Sequence, residues 1–401
     1  MKSKTNTDKV KSIVNLMIPW YQKNARDLPW RRKPYCDDPY CVYVSEIMLQ
    51  QTQVKTVIPF WERWLRELPT IEAAAQAPSA KIHKLWEGLG YYTRVRNLQK
   101  AAQVIVEKHS GKFPENFDDV LTLPGIGRYT AGAICSIAFN QPTPILDGNV
   151  IRVLTRIFGI AENPKEKATN ARLWDLAEKL VSHAKNAKDA KPEKSLRPLR
   201  PLREKNSCSH LNQSLMELGA LVCTPRNPQC LICPAQKLCV AFREGRTEEL
   251  PNLGKREAAT ARHFTAFAIE REGKFLVRQR PAGVVNAHLW EFPNVETGGT
   301  QSNAHKIFQT EFGFAANELS PLCTVKHSIT RYRITLEAFL VHLGGTSSTS
   351  LHSKNVQSGT RGTRPSEIGA WKTPAQMRGL AFTAAHKKLA SAAVQSILSD
   401  R

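Results

Sequence analysis

Leu123-Pro124-Gly125-Ile126-Gly127-Arg128-Tyr129-Thr130, followed at 145–150 by Ile-Leu-Asp-Gly-Asn-Val, is the stretch from which the fold can be read. Gly125 and Gly127 free the backbone for a tight turn whose N–H groups face outward at the start of a helix. Such a turn binds an anion without side-chain charge, or simply joins two helices. Asp147 stands just before a second helix, as an N-cap or as a carboxylate available for chemistry. Working outward, Val54, Val57, Ile58, Trp61, Trp64, Leu65 and Leu68 keep helical spacing. Asp38-Pro39 reads as an N-cap and first helical residue, opening a helix through about Gln51. Further helices are predicted at 98–109, 129–139, 149–158, 170–183 and 211–222, so residues 10–250 form a helical region. Within it Glu46 lies among Tyr43, Val44, Ile47, Met48 and Leu49. A carboxyl there is either a buried acid with a raised pKa or the polar edge of its helix.

From 263 onward the period changes to two. Phe264, Ala266 and Ala268 alternate, as do Phe275, Val277 and Gln279, with Glu272-Gly273 as the turn between them. Residues 332–342 read as a strand, while 303–314 and 383–398 read as helices. The C-terminal third is therefore a separate α+β domain, reached through the charged stretch 241–262. Residues 344–366 are rich in Gly, Ser and Thr and read as a long loop. In the insert 184–207 a basic residue recurs every third position from Lys185 to Arg203, which suits a solvated segment or a phosphate-tracking arm.

Composition limits the partners. The 401 residues carry 57 Lys+Arg against 35 Asp+Glu, a net charge of +22, which favours a polyanion such as nucleic acid. No apolar run is long enough to span a bilayer, and Met1–Lys11 lacks the apolar core of a secretory signal, so an intracellular, cytoplasmic location with no membrane partner is expected. Four of the nine cysteines, Cys223, Cys230, Cys233 and Cys239, cluster around Pro225, Pro228 and Pro234. Their spacing suits a tetrahedral zinc or an iron–sulfur cubane, and spacing alone does not separate the two.

The segments VSEIMLQQTQV (44–54), GLGYYTRVRNL (88–98), LPGIGRYTAGAI (123–134), ILDGNVIRVLTR (145–156) and MELGALVCTPRNPQC (216–230), followed by the rest of the cysteine loop, occur in this order. The chain thereby resembles the helix–hairpin–helix DNA glycosylases, and within them the MutY family, over roughly residues 10–245. WEFPN (290–294) and VKHSIT (325–330) extend the resemblance over 262–400 to a Nudix-like lesion-reading domain. The resemblance implies a multidomain protein: an all-α helix–hairpin–helix glycosylase core with a cluster loop (1–245), a linker (246–262) and an α+β Nudix-like domain (263–401). It implies a [4Fe–4S] cluster on the four cysteines and, as partner of a monomeric enzyme, duplex DNA with adenine opposite 8-oxoguanine or guanine. Glu46 would protonate the leaving adenine, and an ionised Asp147 would stabilise the oxocarbenium-like sugar, with Tyr129 and Asn149 beside them. Arg26, Trp30, Arg31 and Glu217 would line the base pocket. Gln51, Val54 and Tyr91 would contact or wedge the DNA, and Gly125 and Gly127 would clamp its backbone. Tyr129 stands where the related glycosylase–lyases carry a nucleophilic lysine, which implies hydrolysis by water alone. In the C-terminal domain His327 would read the partner base, and Val325-Lys326-His327 replaces the usual Phe-Ser-His, leaving Ser328 as the candidate hydroxyl. Glu296, Glu311 and Glu318 are too dispersed for the metal site of a working Nudix hydrolase, so binding without hydrolysis is expected there.

Overall fold

In a computed structural model, residues 2–186, 207–254, 257–298, 303–313, 316, 318–329, 331–343 and 369–399 are described. Most of the basic insert and the loop 344–366 lie outside them. The Cα packing divides the chain into two units, Met1–Ala77 with Arg96–Arg256, and Pro78–Val95 with Glu257–Arg401.

The helices, in chain order, are α1 (Lys2–Asn24), α2 (Pro39–Leu49), α3 (Val54–Glu67), α4 (Ile71–Gln76), α5 (Ser79–Trp86), α6 (Thr93–His109), α7 (Phe117–Thr122), α8 (Arg128–Ile137), α9 (Gly148–Phe158), α10 (Lys167–Asn186), α11 (Ser207–Leu221), α12 (Val240–Arg243), α13 (Ala304–Phe312), α14 (Pro374–Arg378) and α15 (Ala384–Ser399). Asp38 caps α2, accepting from the Tyr40 and Cys41 N–H groups with Pro39 at the first helical position. The core of the first unit gathers Ile13, Val14 and Met17 of α1, Val150, Val153 and Leu154 of α9, Leu173 and Leu180 of α10, and Leu211, Leu215 and Leu218 of α11. Three- and four-residue steps put each of these sets on one helix face. α1, absent from the helices predicted from sequence, is thus part of this core.

The two hairpin glycines act differently. Gly125 has φ +75°, and a Cβ there would stand 2.5 Å from Asn97 Cβ. Gly127 is the N-cap of α8 with φ −99°, and nothing lies within 4 Å of a Cβ built on it. The first glycine allows the turn, and the second leaves its outer side bare for a ligand to approach.

In the second unit, strands β1 (Thr260–Arg271), β2 (Lys274–Gln279), β3 (Trp290–Glu291), β4 (Asn294–Thr297), β5 (Glu318–Ile329), β6 (Tyr332–His342) and β7 (Ala370–Lys372) form a mixed sheet. Its order is β3-β2-β1-β6-β5, with β4 on β1 and β7 on β2. β1 and β2 form the predicted hairpin, while β1 and β6 run parallel in the register Thr260↔Tyr332 to Glu270↔His342. Thr265–Ile269 of β1 are buried without a break. Ala266 and Ala268 join a core with Phe382 and Leu389, whereas Phe267 and Ile269 join another with Phe308 and Phe312, so helices cover both faces of β1. Among the described residues no helix is long and apolar enough to cross a membrane.

At Gly132 of α8 an added Cβ would stand 2.2 Å from the Pro144 carbonyl oxygen, in the segment that leads to Asp147. Because backbone cannot rotate away as a side chain can, Gly132→Ala should destabilise by about 1–3 kcal/mol. A lower urea midpoint checks this, and an unchanged midpoint would contradict the packing described.

Candidate active site

One cavity of about 1260 Å³ is lined by Arg26, Trp30 and Arg31, by Glu46 of α2, by Gln51 and Val54, by Gly125, Gly127 and Tyr129, by Asp147 and Asn149, and by Glu217 of α11. It thus joins most of the candidate residues named from sequence. Tyr91, His327 and Ser328 do not line it; they belong to the second unit.

Glu46 is placed by a helix buried on nearly every side, from Tyr40 through Met48. Its Oε2 accepts a 2.7 Å hydrogen bond from the Tyr129 hydroxyl, which lies 3.4 Å from Met216 Sδ. Burial pushes the Glu46 carboxyl up from 4.5 to about 7, and the nearby charge of Asp147 adds to this, while the Tyr129 bond and Arg31 pull it down. Tyr129, buried beside both carboxyls, is itself pushed well above the usual phenol value.

Asp147 is the N-cap of α9, accepting from the Val150 N–H at 2.7 Å and from Asn149 Nδ2 at 2.8 Å. Burial raises its pKa, opposed by these bonds and by the Arg152 charge. Asn149 is held in turn. Its Oδ1 accepts from Arg152 Nη2 at 2.9 Å, and Arg152 also donates to the Gly219 and Cys223 carbonyls at 2.8 and 2.7 Å. Gly219 is required here, since its Cβ would meet Asn149 Cβ at 2.6 Å. Arg152 and Gly219 were missed in sequence reading. Arg152 does sit in the quoted segment, one turn of helix beyond Asn149, but nothing in the sequence says what it faces.

Glu217 is 1% exposed and accepts four hydrogen bonds. Arg26 contributes its backbone N–H, Nε and Nη2 at 2.7–2.9 Å, and Arg31 its Nη2 at 2.9 Å. Burial resists ionisation, but the bonds from Arg26 and Arg31 overcome it and hold the carboxyl down at about 2. Glu217 is therefore an anion whose acceptor sites are filled by two arginines. Gln213, also missed, continues the network, accepting from the Tyr21 hydroxyl at 2.7 Å and from Arg31 Nε at 3.1 Å. Trp30 is buried edge-on to Trp61, and Gln51 takes φ 56° at the cavity wall.

The four clustered thiols line a second pocket together with Val153, Arg156, Ile157, Leu218, Val222 and Phe242. Among the described residues no group of three or more His, Cys, Asp or Glu side chains is arranged to hold a metal ion. Arg156, 1% exposed, donates to the Leu250 and Thr224 carbonyls at 2.8 and 2.7 Å and lies 3.4 Å from Cys223 Sγ. Burial pushes the Cys233 thiol up to about 12. An apolar wall, four sulfurs and one buried cation fit a thiolate-held metal centre carrying net negative charge.

The family model described as HhH-GPD superfamily base excision DNA repair protein matches residues 44–179, and a NUDIX domain model matches residues 265–392. The adenine DNA glycosylase of Rattus norvegicus is 34% identical over 383 residues, covering 82% of this chain and 70% of that one. The adenine DNA glycosylase of Buchnera aphidicola subsp. Schizaphis graminum is 36% identical over 283 residues, covering 70% and 74%. Among solved structures, a thermostable thymine-DNA glycosylase aligns with a TM-score of 0.48 at 28% identity, over 59% of this chain and 98% of that one.

Burying Glu46 sets a stability penalty with a definite pH dependence. Below 4.5 the group is protonated in both folded and unfolded chains, and the penalty is absent; it grows from there and is complete above about 7. Glu46→Gln should therefore stabilise the protein at pH 8 by up to roughly 3 kcal/mol and hardly at all at pH 4.5. Thermal melts of both proteins across this range measure it; a gain independent of pH would show that Glu46 is not held protonated.

Proposed function

The chain belongs to the adenine DNA glycosylase family, enzymes of base excision, and on that premise we propose that it hydrolyses the N-glycosidic bond of adenine mispaired with 8-oxoguanine or guanine in duplex DNA. One observation carries the assignment: Glu46, shifted to about 7 and bonded to Tyr129, shares a cavity with Asp147 and the arginine-filled Glu217.

Adenine is a poor leaving group as an anion, so cleavage requires a proton on its ring. Near neutral pH Glu46 has that proton. Tyr129 occupies one oxygen of the carboxyl group, and the other is the one we assign to the base. As the bond to the sugar breaks, positive charge develops on the ring, and Asp147 as an anion stabilises it. Having given up its proton, Glu46 can accept one from the attacking water, which closes the cycle. Tyr129 supplies no amine, so the reaction is hydrolysis without strand-cleaving Schiff-base chemistry. The base reaches this cavity only after leaving the stack. Arg26, Trp30, Arg31 and Glu217 form its pocket, the Gly125–Gly127 turn clamps phosphate, and Gln51, Val54 and Tyr91 engage the duplex at the lesion.

We assign a [4Fe–4S] cluster to Cys223, Cys230, Cys233 and Cys239, with Arg156 beside Cys223. When bound, the cluster cross-links its loop. His327 and Ser328 on β5 read the partner base. Nudix hydrolysis is not part of the proposal, and of the dispersed glutamates Glu296 is already paired with Arg262. The protein acts as a monomer.

Single-turnover assays on duplexes carrying A opposite 8-oxoguanine, A opposite G, or oxidised pyrimidines test the reading. Adenine should be released from the first two, and Glu46→Gln should lose at least about two orders of magnitude. Release of pyrimidines instead, or a Glu46→Gln variant of wild-type rate, would falsify it. The rate should fall as pH rises through about 7. Tyr129→Phe removes a bond that favours the carboxylate, so its alkaline limb should move to higher pH.

The purified protein should also be yellow-brown, with absorbance near about 400 nm from iron–thiolate charge transfer. Colourless, zinc-containing protein would overturn the cluster assignment.

A further inference from the structure

Within the second unit a buried carboxylate joins the segment Pro78–Val95 to the C-terminal elements. Glu87 is 8% exposed. Its Oε1 accepts from the Phe382 N–H at 3.0 Å, and its Oε2 accepts from Lys84 Nζ at 2.9 Å and Lys387 Nζ at 2.8 Å. Lys84 Nζ donates also to the Leu380 carbonyl at 2.9 Å. Each end of this cluster leads to something the proposed function uses.

On one side, Glu87 opens the turn that presents Tyr91. Gly88, Gly90 and Tyr91 have φ 114°, 71° and 48°, and the turn is closed by Trp86 Nε1 donating to the Gly90 carbonyl at 3.0 Å and Arg94 donating to the Leu89 carbonyl at 3.1 Å. A non-glycine residue at positive φ is held there by its surroundings, and Tyr91 remains 45% exposed at the tip. On the other side, Trp290 of β3 is bonded through its N–H to Ala381 and through its carbonyl to the Thr383 N–H, flanking Phe382. Lys387 lies on α15 next to His386, whose Nδ1 accepts from the Phe292 N–H at 3.1 Å. α15 packs on β5, the strand of His327 and Ser328.

We propose that Glu87 is a positioning residue that fixes the Tyr91 turn to the partner-base-reading surface of the same unit, so that wedging the duplex and reading the base opposite adenine are one rigid-body event. The inference rests on the roles assigned above to Tyr91 and His327. It makes no use of Glu87 in the chemical step, so its loss should weaken engagement of DNA and leave bond cleavage alone.

Single-turnover excision from a duplex with A opposite 8-oxoguanine, followed at rising enzyme concentration, separates the two. Glu87→Gln keeps an acceptor for the Phe382 N–H and loses both charge pairs. It should raise the half-saturating concentration about tenfold while the plateau rate stays within about twofold. Lys387→Met should act in the same direction, and the double variant should be no worse than the worse single one, because the two residues share one interaction. A fall in plateau rate with unchanged half-saturation, or fully additive effects, overturns the proposal. Hydrogen exchange of the free proteins supplies a readout independent of activity: amides of residues 88–93 should lose protection in Glu87→Gln. Unchanged protection also overturns it. If the wild-type protein released no adenine, the functional reading would fail, and the exchange result alone would then decide whether Glu87 holds the turn.

Discussion

Where α11 crosses α9, Gly219 lies so close to Asn149 that a Cβ would stand 2.6 Å from its side chain. That approach lets Arg152 reach the Gly219 and Cys223 carbonyls while holding Asn149, which in turn donates to Asp147. Asp147 is thereby oriented by hydrogen bonds at the start of α9, with Glu46 and Tyr129 in the same cavity wall. The cysteine loop begins at the C-terminal end of the same α11, and Arg152 donates to the carbonyl of its first cysteine, Cys223.

Two carboxyl groups of this cavity show how environment divides the same chemistry. Glu46 and Glu217 are both buried, and burial pushes both toward the neutral form. Glu217 is surrounded by two guanidinium groups and ends at about 2; Glu46 has one phenolic hydroxyl and a neighbouring carboxylate and ends at about 7. The first is held as an anion by its arginines, and the second retains its proton toward neutral pH, as the proposed general acid would need. The cost of a buried neutral acid falls on stability, as is usual where function requires a group in a medium it would otherwise leave.

How far the sequence could be read differs by element. Asp38-Pro39, the Gly125–Gly127 turn and the Glu272-Gly273 hairpin are local features, set by capping and φ preferences within a few residues, and the structure has them where the sequence places them. The parallel pairing of β1 with β6 spans some seventy residues of chain, and period-two alternation says nothing about it. Nor does it show that the second face of β1 is covered by α13, which happens only after the chain has folded back. Glu217 reads as a pocket residue from its segment, but its saturation by Arg26 and Arg31 depends on the chain between them folding back.

By itself the sequence determined the chemistry on offer: two carboxyls in apolar or capping contexts, a glycine turn suited to phosphate, four clustered thiols and a strong positive charge. These follow from residue type and short spacing, which do not depend on distant contacts. Only the tertiary structure decided which of those groups share a cavity, which carboxyl keeps its proton, and that Pro78–Val95 forms one compact unit with Glu257–Arg401. Desolvation and hydrogen-bond saturation are properties of what surrounds a group, and those surroundings come from residues far away along the chain.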